Sequence, residues 1–215
     1  MIAAQEAWFP APEHLVIEDG AVHIWRADLN QESELVMTLR NKLTSDERNR
    51  GDKFYFENDR IHFIVARGVL REILSYYLGI LPQNVELSYG PFGKPQLRGQ
   101  AGKHLCFNVS HSHGLALFAI TNNREIGVDL ELIREESASL AIADHFFSPQ
   151  EILALRKLPR ELQSTAFFNC WTRKEAYIKA RGVGIPYCMD GFTVSPGPGG
   201  TCGLSSKRRR SEGSG

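Results

Sequence analysis

The chain carries no excess of charge of either sign: Lys+Arg and Asp+Glu each number 25 in 215 residues. A zero balance gives no electrostatic case for binding duplex nucleic acid or an anionic membrane, although a local basic cluster could still hold a small anion. Cysteine is scarce, and Cys106, Cys170, Cys188 and Cys202 show no C-x-x-C spacing. That spacing excludes a disulfide frame or a cysteine zinc site and predicts reduced thiols in a cytoplasmic protein, with Cys106 and Cys170 in the core. No run approaches the roughly 18 apolar residues of a membrane span, and no basic and apolar leader follows Met1, so neither a span nor a secretion signal is expected. What remains is an ordinary globular composition, 42% hydrophobic and 23% charged. Its length allows one large domain or two small ones.

Taken in order, Ala21–Leu29 alternates apolar and polar residues and predicts a strand. Glu32–Leu39 is a short helical patch. Thr44 or Ser45 caps a helix with acids in its first turn. Asp59–Leu78 has the longest helical period, closing at Gly79. Gly68 inside it costs about 1 kcal/mol against alanine, which a close packing contact would justify. Arg60, Arg67 and Arg71 share one side of that helix, where spacing alone predicts a solvated basic face. Val85–Ser88 is a short strand, followed by Tyr89–Pro95, a loop stiff enough to fix Lys94 or simply a hairpin turn. Leu105–Val109 and Leu115–Ile120 read as strands around Ser110-His-Ser-His-Gly114, and Glu125–Glu131 as another strand. Ser137–His145 is helical. Ser148, Pro149 and Glu151 form a capping box for a helix ending near Pro159. Phe192–Val194 begins a last strand. Long helices with short strands around them recur in both halves, which predicts a duplicated α/β unit without a sequence repeat. The expected division is residues 1–102, residues 103–195 and a disordered tail at 196–215, where glycine, serine and Lys207–Arg210 replace apolar residues.

The richest stretch is Phe167–Lys179. Phe167, Trp171, Lys174 and Ile178 make one helical stripe, and Phe168, Thr172, Glu175 and Lys179 the next, so Glu175 and Lys179 lie one turn apart. Alone, such a pair is a surface ion pair worth about 0.3–0.5 kcal/mol. Asp129 and Glu131 share one face of the predicted strand and repel each other unless a cation or water intervenes. Asp129, Glu131 and Glu175 together offer hard oxygens suited to Mg2+. Arg60, Arg67, Lys94, His111 and Lys179 could hold a polyanion. A metal, cations and a carboxylate base make a kit for attack on a phosphoryl group.

Gly93-Lys-Pro95, Phe107-Asn-Val-Ser-His-Ser112, Gly127-Val-Asp-Leu-Glu131 and Phe168-x-x-Trp-Thr-Arg-Lys-Glu-Ala-Tyr-Ile-Lys179 together resemble the 4′-phosphopantetheinyl transferase superfamily, in its surfactin-synthetase-activating (Sfp-like) branch. The resemblance covers roughly residues 59–194 and implies a pseudo-twofold α/β (α+β) fold with its active site between the halves. It implies transfer of the 4′-phosphopantetheine arm from coenzyme A to a serine of an apo acyl or peptidyl carrier protein, with release of adenosine 3′,5′-bisphosphate. By similarity, Asp129, Glu131 and Glu175 would bind Mg2+, so the metal site falls in the 103–195 half. Glu175 would be the base, and Lys179 would meet the pyrophosphate. Ser110, His111 and Lys94 would contact nucleotide phosphates, with Arg67 near the 3′-phosphate and Arg60 only nearby. The protein is expected to act as a cytoplasmic monomer. Members of this family usually have further strands after the segment matching Phe192–Val194, so the expectation is either a second half one or two strands short or an altered end. Two other readings stand beside this one: a metal-dependent nuclease, which also suits Asp-x-Glu with a later Glu and Lys, and a chain that binds coenzyme A or carrier protein without turnover.

Overall fold

A computed structural model describes residues 8, 15–99, 104–134, 140–183, 189–195, 197 and 205–206. β1 (Val22–Asp28) is followed by α1 (Ser33–Asn41), α2 (Ser45–Gly51) and α3 (Glu57–Leu78). A 3-10 turn at Pro82–Asn84 leads into the hairpin of β2 (Leu87–Tyr89) and β3 (Pro95–Leu97), then β4 (Leu105–Ser112) and β5 (Leu115–Asn122). Next come α4 (Leu140–Phe146), α5 (Pro149–Lys157) and α6 (Arg160–Arg181), a turn at Met189–Gly191, and the short pair β6 (Phe192–Thr193) and β7 (Ser205–Ser206).

β5 is the central strand of an antiparallel sheet in the order β1-β5-β4. Burial alternates along β1, as its period-2 pattern predicts. α3 lays Ile64, Val65, Leu70, Ile73 and Leu74 on the sheet residues Phe107, Phe118 and Ile120. Gly68 is the close approach its mid-helix position calls for: a Cβ there would lie 2.7 Å from Leu39 Cβ of α1. Thr44, not Ser45, caps α2, and its box partner is Glu47.

The helical part of the first half recurs in the second. α5 also begins with a capping box, Ser148 with Glu151. In each half the capping glutamate also turns to a buried cation on the long helix. Glu47 Oε2 lies 2.6 Å from Arg71 Nε, and Glu151 Oε2 lies 2.9 Å from Lys174 Nζ. Each cation then donates to two later carbonyls, Arg71 to Pro82 and Val85, Lys174 to Met189 and Phe192. α3 and α6 are both 22 residues long and end on Gly79 and Gly182 in the left-handed region. The duplicated unit is therefore visible in its charged anchors, where buried charge demands a partner.

Four expectations change. Arg60, Arg67 and Arg71 do not form one solvated face: Arg71 is 2% exposed and used by the protein, while Arg60 pairs with Glu57 at the surface. The core divides after β5 rather than at residue 102, because Leu105, Phe107, Phe118 and Ile120 pack with the first half. A second core, from Ala143 to Val194, gathers around α6. Glu125–Glu131 has no regular structure and joins no strand ladder. Cys106 is only half-buried, whereas Cys170 is fully buried. The tail 196–215 lies mostly outside the described residues, but Ser205–Ser206 pairs antiparallel with Phe192–Thr193. Cys188 and Cys202 lie outside them as well. Among the described residues no helix is long and apolar enough to cross a membrane.

Candidate active site

α6 supplies the first two groups. It buries Phe167, Lys174 and Ile178, with the Phe167 ring 5.2 Å from Phe147 and stacked 6.0 Å from Trp171. Packing on that stripe fixes the rotation of the helix. The neighbouring stripe then turns Glu175 and Lys179 toward β4 and the segment that follows β5. Glu175 is buried, and Lys179 reaches out to donate to Asp129 Oδ1 at 2.6 Å and Ser110 Oγ at 3.0 Å.

That segment, residues 125–131, is held by side chains instead of a ladder. Val128 N donates to Asn108 Oδ1 at 2.9 Å and Leu130 N to Ser110 Oγ at 3.2 Å. Ser110 Oγ donates to Asp129 Oδ1 at 3.0 Å, and Ser112 Oγ lies 3.4 Å from Glu131 Oε2. Asn108, Ser110 and Ser112 are alternate residues of β4, so one face of that strand binds the acidic segment. Side-chain oxygens take the N–H groups that a ladder would have paired, which is why the sequence pattern is strand-like and the segment is not a strand. On its other side the segment touches α6: a Cβ at Gly127 would overlap the Ala176 carbonyl oxygen and lie 2.5 Å from Ala180 N. Only glycine permits this contact, and Glu175 and Lys179 immediately precede the two α6 residues that make it.

The site concentrates negative charge. Burial pushes the Glu175 carboxyl above its usual range, Asp129 and Glu131 push it further, and Lys179 partly opposes them. Asp129 Oδ2 is buried with no hydrogen-bond partner among the described residues. These hard oxygens, one of them orphaned, fit a divalent cation in donor chemistry. Among the described residues they do not form a cluster of three metal-ready side chains, and Lys179 and Ser110 both donate to Asp129 Oδ1.

Beside the acids lies a cleft of about 520 Å³ between α3 and the end of β4, lined by Arg67, His62, Phe63, Pro95, Val109 and His111 among others. Arg67 Nη1 is buried without a hydrogen-bond partner among the described residues, and its nearest charge, Glu47 Oε1, is 3.6 Å from Nε. Its guanidinium lies over the Phe63 and Tyr89 rings, and burial lowers its pKa. Burial also lowers the His111 pKa, with Lys179 and His62 adding to the effect. At both groups burial, which disfavours the charged form, is the largest cause.

Two residues expected at phosphate are otherwise engaged. Ser110 uses its single O–H on Asp129 and accepts from Leu130 N and Lys179, so its hydroxyl is fully employed. Lys94 faces away from the cleft, toward Glu125, Ile126 and Ala180. Sequence reasoning gave no role to Asn108, Gly127, His62 or Arg50, which also lines the cleft. A glycine isolated in a strand-like run was the available signal for Gly127, because it marks close backbone approach. Nothing local marked Asn108, whose partner is 20 residues away.

Known proteins are similar to this chain over most of its length. The model of the 4′-phosphopantetheinyl transferase superfamily matches residues 125–212, and that of the 4′-phosphopantetheinyl transferase N-terminal region matches residues 25–123. The 4′-phosphopantetheinyl transferase HetI of Nostoc sp. is 44% identical over 182 residues, 84% of this chain and 77% of its own length. The transferase psf-1 of Bacillus pumilus is 29% identical over 81% of this chain and 72% of its own, and Sfp of Bacillus subtilis 27% over 76% and 70%. With an identity this high over most of both chains, and with motifs that converge in space, the protein belongs to the 4′-phosphopantetheinyl transferase superfamily.

Proposed function

We propose that the chain moves the 4′-phosphopantetheine arm of coenzyme A onto a serine of an apo acyl or peptidyl carrier protein and releases adenosine 3′,5′-bisphosphate. The observation that carries this reading is the meeting of Lys179, Asp129 and Glu175 beside a cleft whose Arg67 has an unused donor. Arg67 and His111 hold the nucleotide phosphates, for which a buried, underused guanidinium is suited. The serine oxygen attacks the β-phosphorus of coenzyme A. The bond from that phosphorus to the bridging oxygen breaks, and its electron pair stays on the adenosine bisphosphate. Glu175 takes the serine proton as the general base. Lys179 leaves Asp129 to meet charge growing on the bridging oxygen. Asp129, Glu131 and Glu175 would hold Mg2+, which when bound supplies charge neutralisation at the phosphoryl group. Ser110 serves this reading chiefly by orienting Asp129, and a phosphate contact would exchange one of its present bonds. The protein works as a cytoplasmic monomer, in keeping with reduced thiols, and needs neither nucleic acid nor membrane.

The test is release of adenosine 3′,5′-bisphosphate from coenzyme A, followed by chromatography. Release matched to modified carrier protein, dependent on Mg2+ and absent when the carrier serine is alanine, supports the reading. Release without carrier protein, or hydrolysis of DNA in its place, overturns it.

A further inference from the structure

An ammonium has three N–H donors. At Lys94 all three have protein acceptors: Glu125 Oε2 at 3.0 Å, the Ile126 carbonyl at 3.3 Å and the Ala180 carbonyl at 3.3 Å. The side chain is 11% exposed, whereas Glu125 is 67% exposed. Lys94 borders a separate small cleft with Cys106 and Glu125, while its neighbour Pro95 lines the Arg67 cleft. No donor is left for a ligand phosphate.

The three acceptors belong to pieces that must meet for the site to exist. Glu125 and Ile126 lead into the acidic segment, and Ala180 follows Lys179 on α6. Gly127, the next residue, is the one whose backbone lies against Ala176 and Ala180. Lys94 comes from the β2–β3 hairpin, on which Tyr89 also lies under the Arg67 guanidinium.

We infer that Lys94 is a positioning residue: it clasps the β2–β3 hairpin to the start of the acidic segment and to the end of α6, and so seats Asp129 against Glu175 and Lys179. This departs from the phosphate contact that the family resemblance implies for this lysine, and it rests on the proposed transfer only for its consequence in catalysis. The clasp works mainly through the two carbonyls, because the exposed Glu125 carboxylate is solvated. It also places a cation at the C-terminal end of α6, where the helix dipole favours one.

The experiment compares the full-length protein with Lys94→Met and the milder Glu125→Gln, which keeps both carbonyl bonds. Two measurements are made without carrier protein: amide hydrogen exchange at Val128 and Leu130, and binding of adenosine 3′,5′-bisphosphate. In Lys94→Met, exchange at both amides should rise about tenfold or more, as expected when a local segment loosens. Ligand affinity should stay within about twofold, because no phosphate contact is lost. Glu125→Gln should move exchange in the same direction by less. Affinity weakened about tenfold, the signature of a lost charged hydrogen bond, overturns the inference. So does unchanged exchange at both amides. Failure of the wild-type protein to modify any carrier would count against the transfer reading and leave these two readouts untouched.

Discussion

Lys179 Nζ lies 2.6 Å from Asp129 Oδ1, and the two ends of this ion pair differ in burial: the aspartate side chain is 4% exposed and the lysine 30%. The lysine is therefore the partner able to leave. In its absence Asp129 would be a buried carboxylate with one orphaned oxygen already. Lys179→Met should destabilise the metal-free protein by about 1–3 kcal/mol, because the buried Asp129 carboxylate keeps the Ser110 hydrogen bond but loses its countercharge. Mg2+ should raise the melting temperature of the variant more than that of the wild type. Equal shifts would place the cation elsewhere.

Glu175 is held above the usual carboxylate range by burial, Asp129 and Glu131. A carboxyl whose folded pKa exceeds its unfolded value binds more protons when folded. Its unfavourable contribution is absent below the unfolded pKa and grows as pH rises through the folded pKa. Glu175→Gln should therefore melt higher than wild type at neutral pH, converge with it near pH 4, and transfer nothing. Melting curves across pH check the first two statements, and a variant less stable at neutral pH would contradict them.

Gly127→Ala should be among the most damaging small substitutions in the chain. The new methyl would collide with the backbone of α6 at Ala176 and Ala180, which cannot move as a side chain can. Overpacking of this kind costs about 1–3 kcal/mol, and misplacing the acids by an ångström costs about a hundredfold in turnover. A denaturant melt and a transfer assay at saturating coenzyme A measure the two effects.

Arg67 is expected to bind substrate more than to promote chemistry. Arg67→Met should weaken adenosine 3′,5′-bisphosphate about 10- to 100-fold, the range for hydrogen bonds to charged groups. Lysine should not restore it fully, since it lacks the planar fork. Titration calorimetry of both variants decides this.

His111 is less basic than a free histidine because of burial, Lys179 and His62. It thus carries less positive charge at pH 7 than a free histidine would, and a bound phosphate raises its pKa. Binding then takes up a proton, so affinity for adenosine 3′,5′-bisphosphate should strengthen as pH falls from 7 toward 6. His111→Ala should flatten that slope. A slope of the opposite sign would remove His111 from the phosphate site.

Much of this was legible in sequence because the signals were local. The Ser148 box, the glycine closing α3 and the Glu175–Lys179 stripe each depend on neighbours within a turn or two. What escaped depends on partners far along the chain. Arg71 lies on a helical stripe that spacing alone assigns to solvent, yet Glu47, 24 residues away, draws it into the core. The acidic segment has strand alternation, yet Asn108 and Ser110 satisfy its N–H groups in place of a ladder. A stiff loop can fix Lys94 in place, but its sequence does not say that Ala180, 86 residues later, takes one of the lysine's donors.

The most direct measurement is mass spectrometry of an apo carrier protein incubated with coenzyme A and Mg2+, using the wild-type chain and folded Asp129→Asn and Glu175→Gln variants. The expected result is a carrier serine bearing the phosphopantetheine arm with the wild type and an unmodified carrier with both variants. Full modification by either variant would contradict the assignment of the chemistry to these carboxylates.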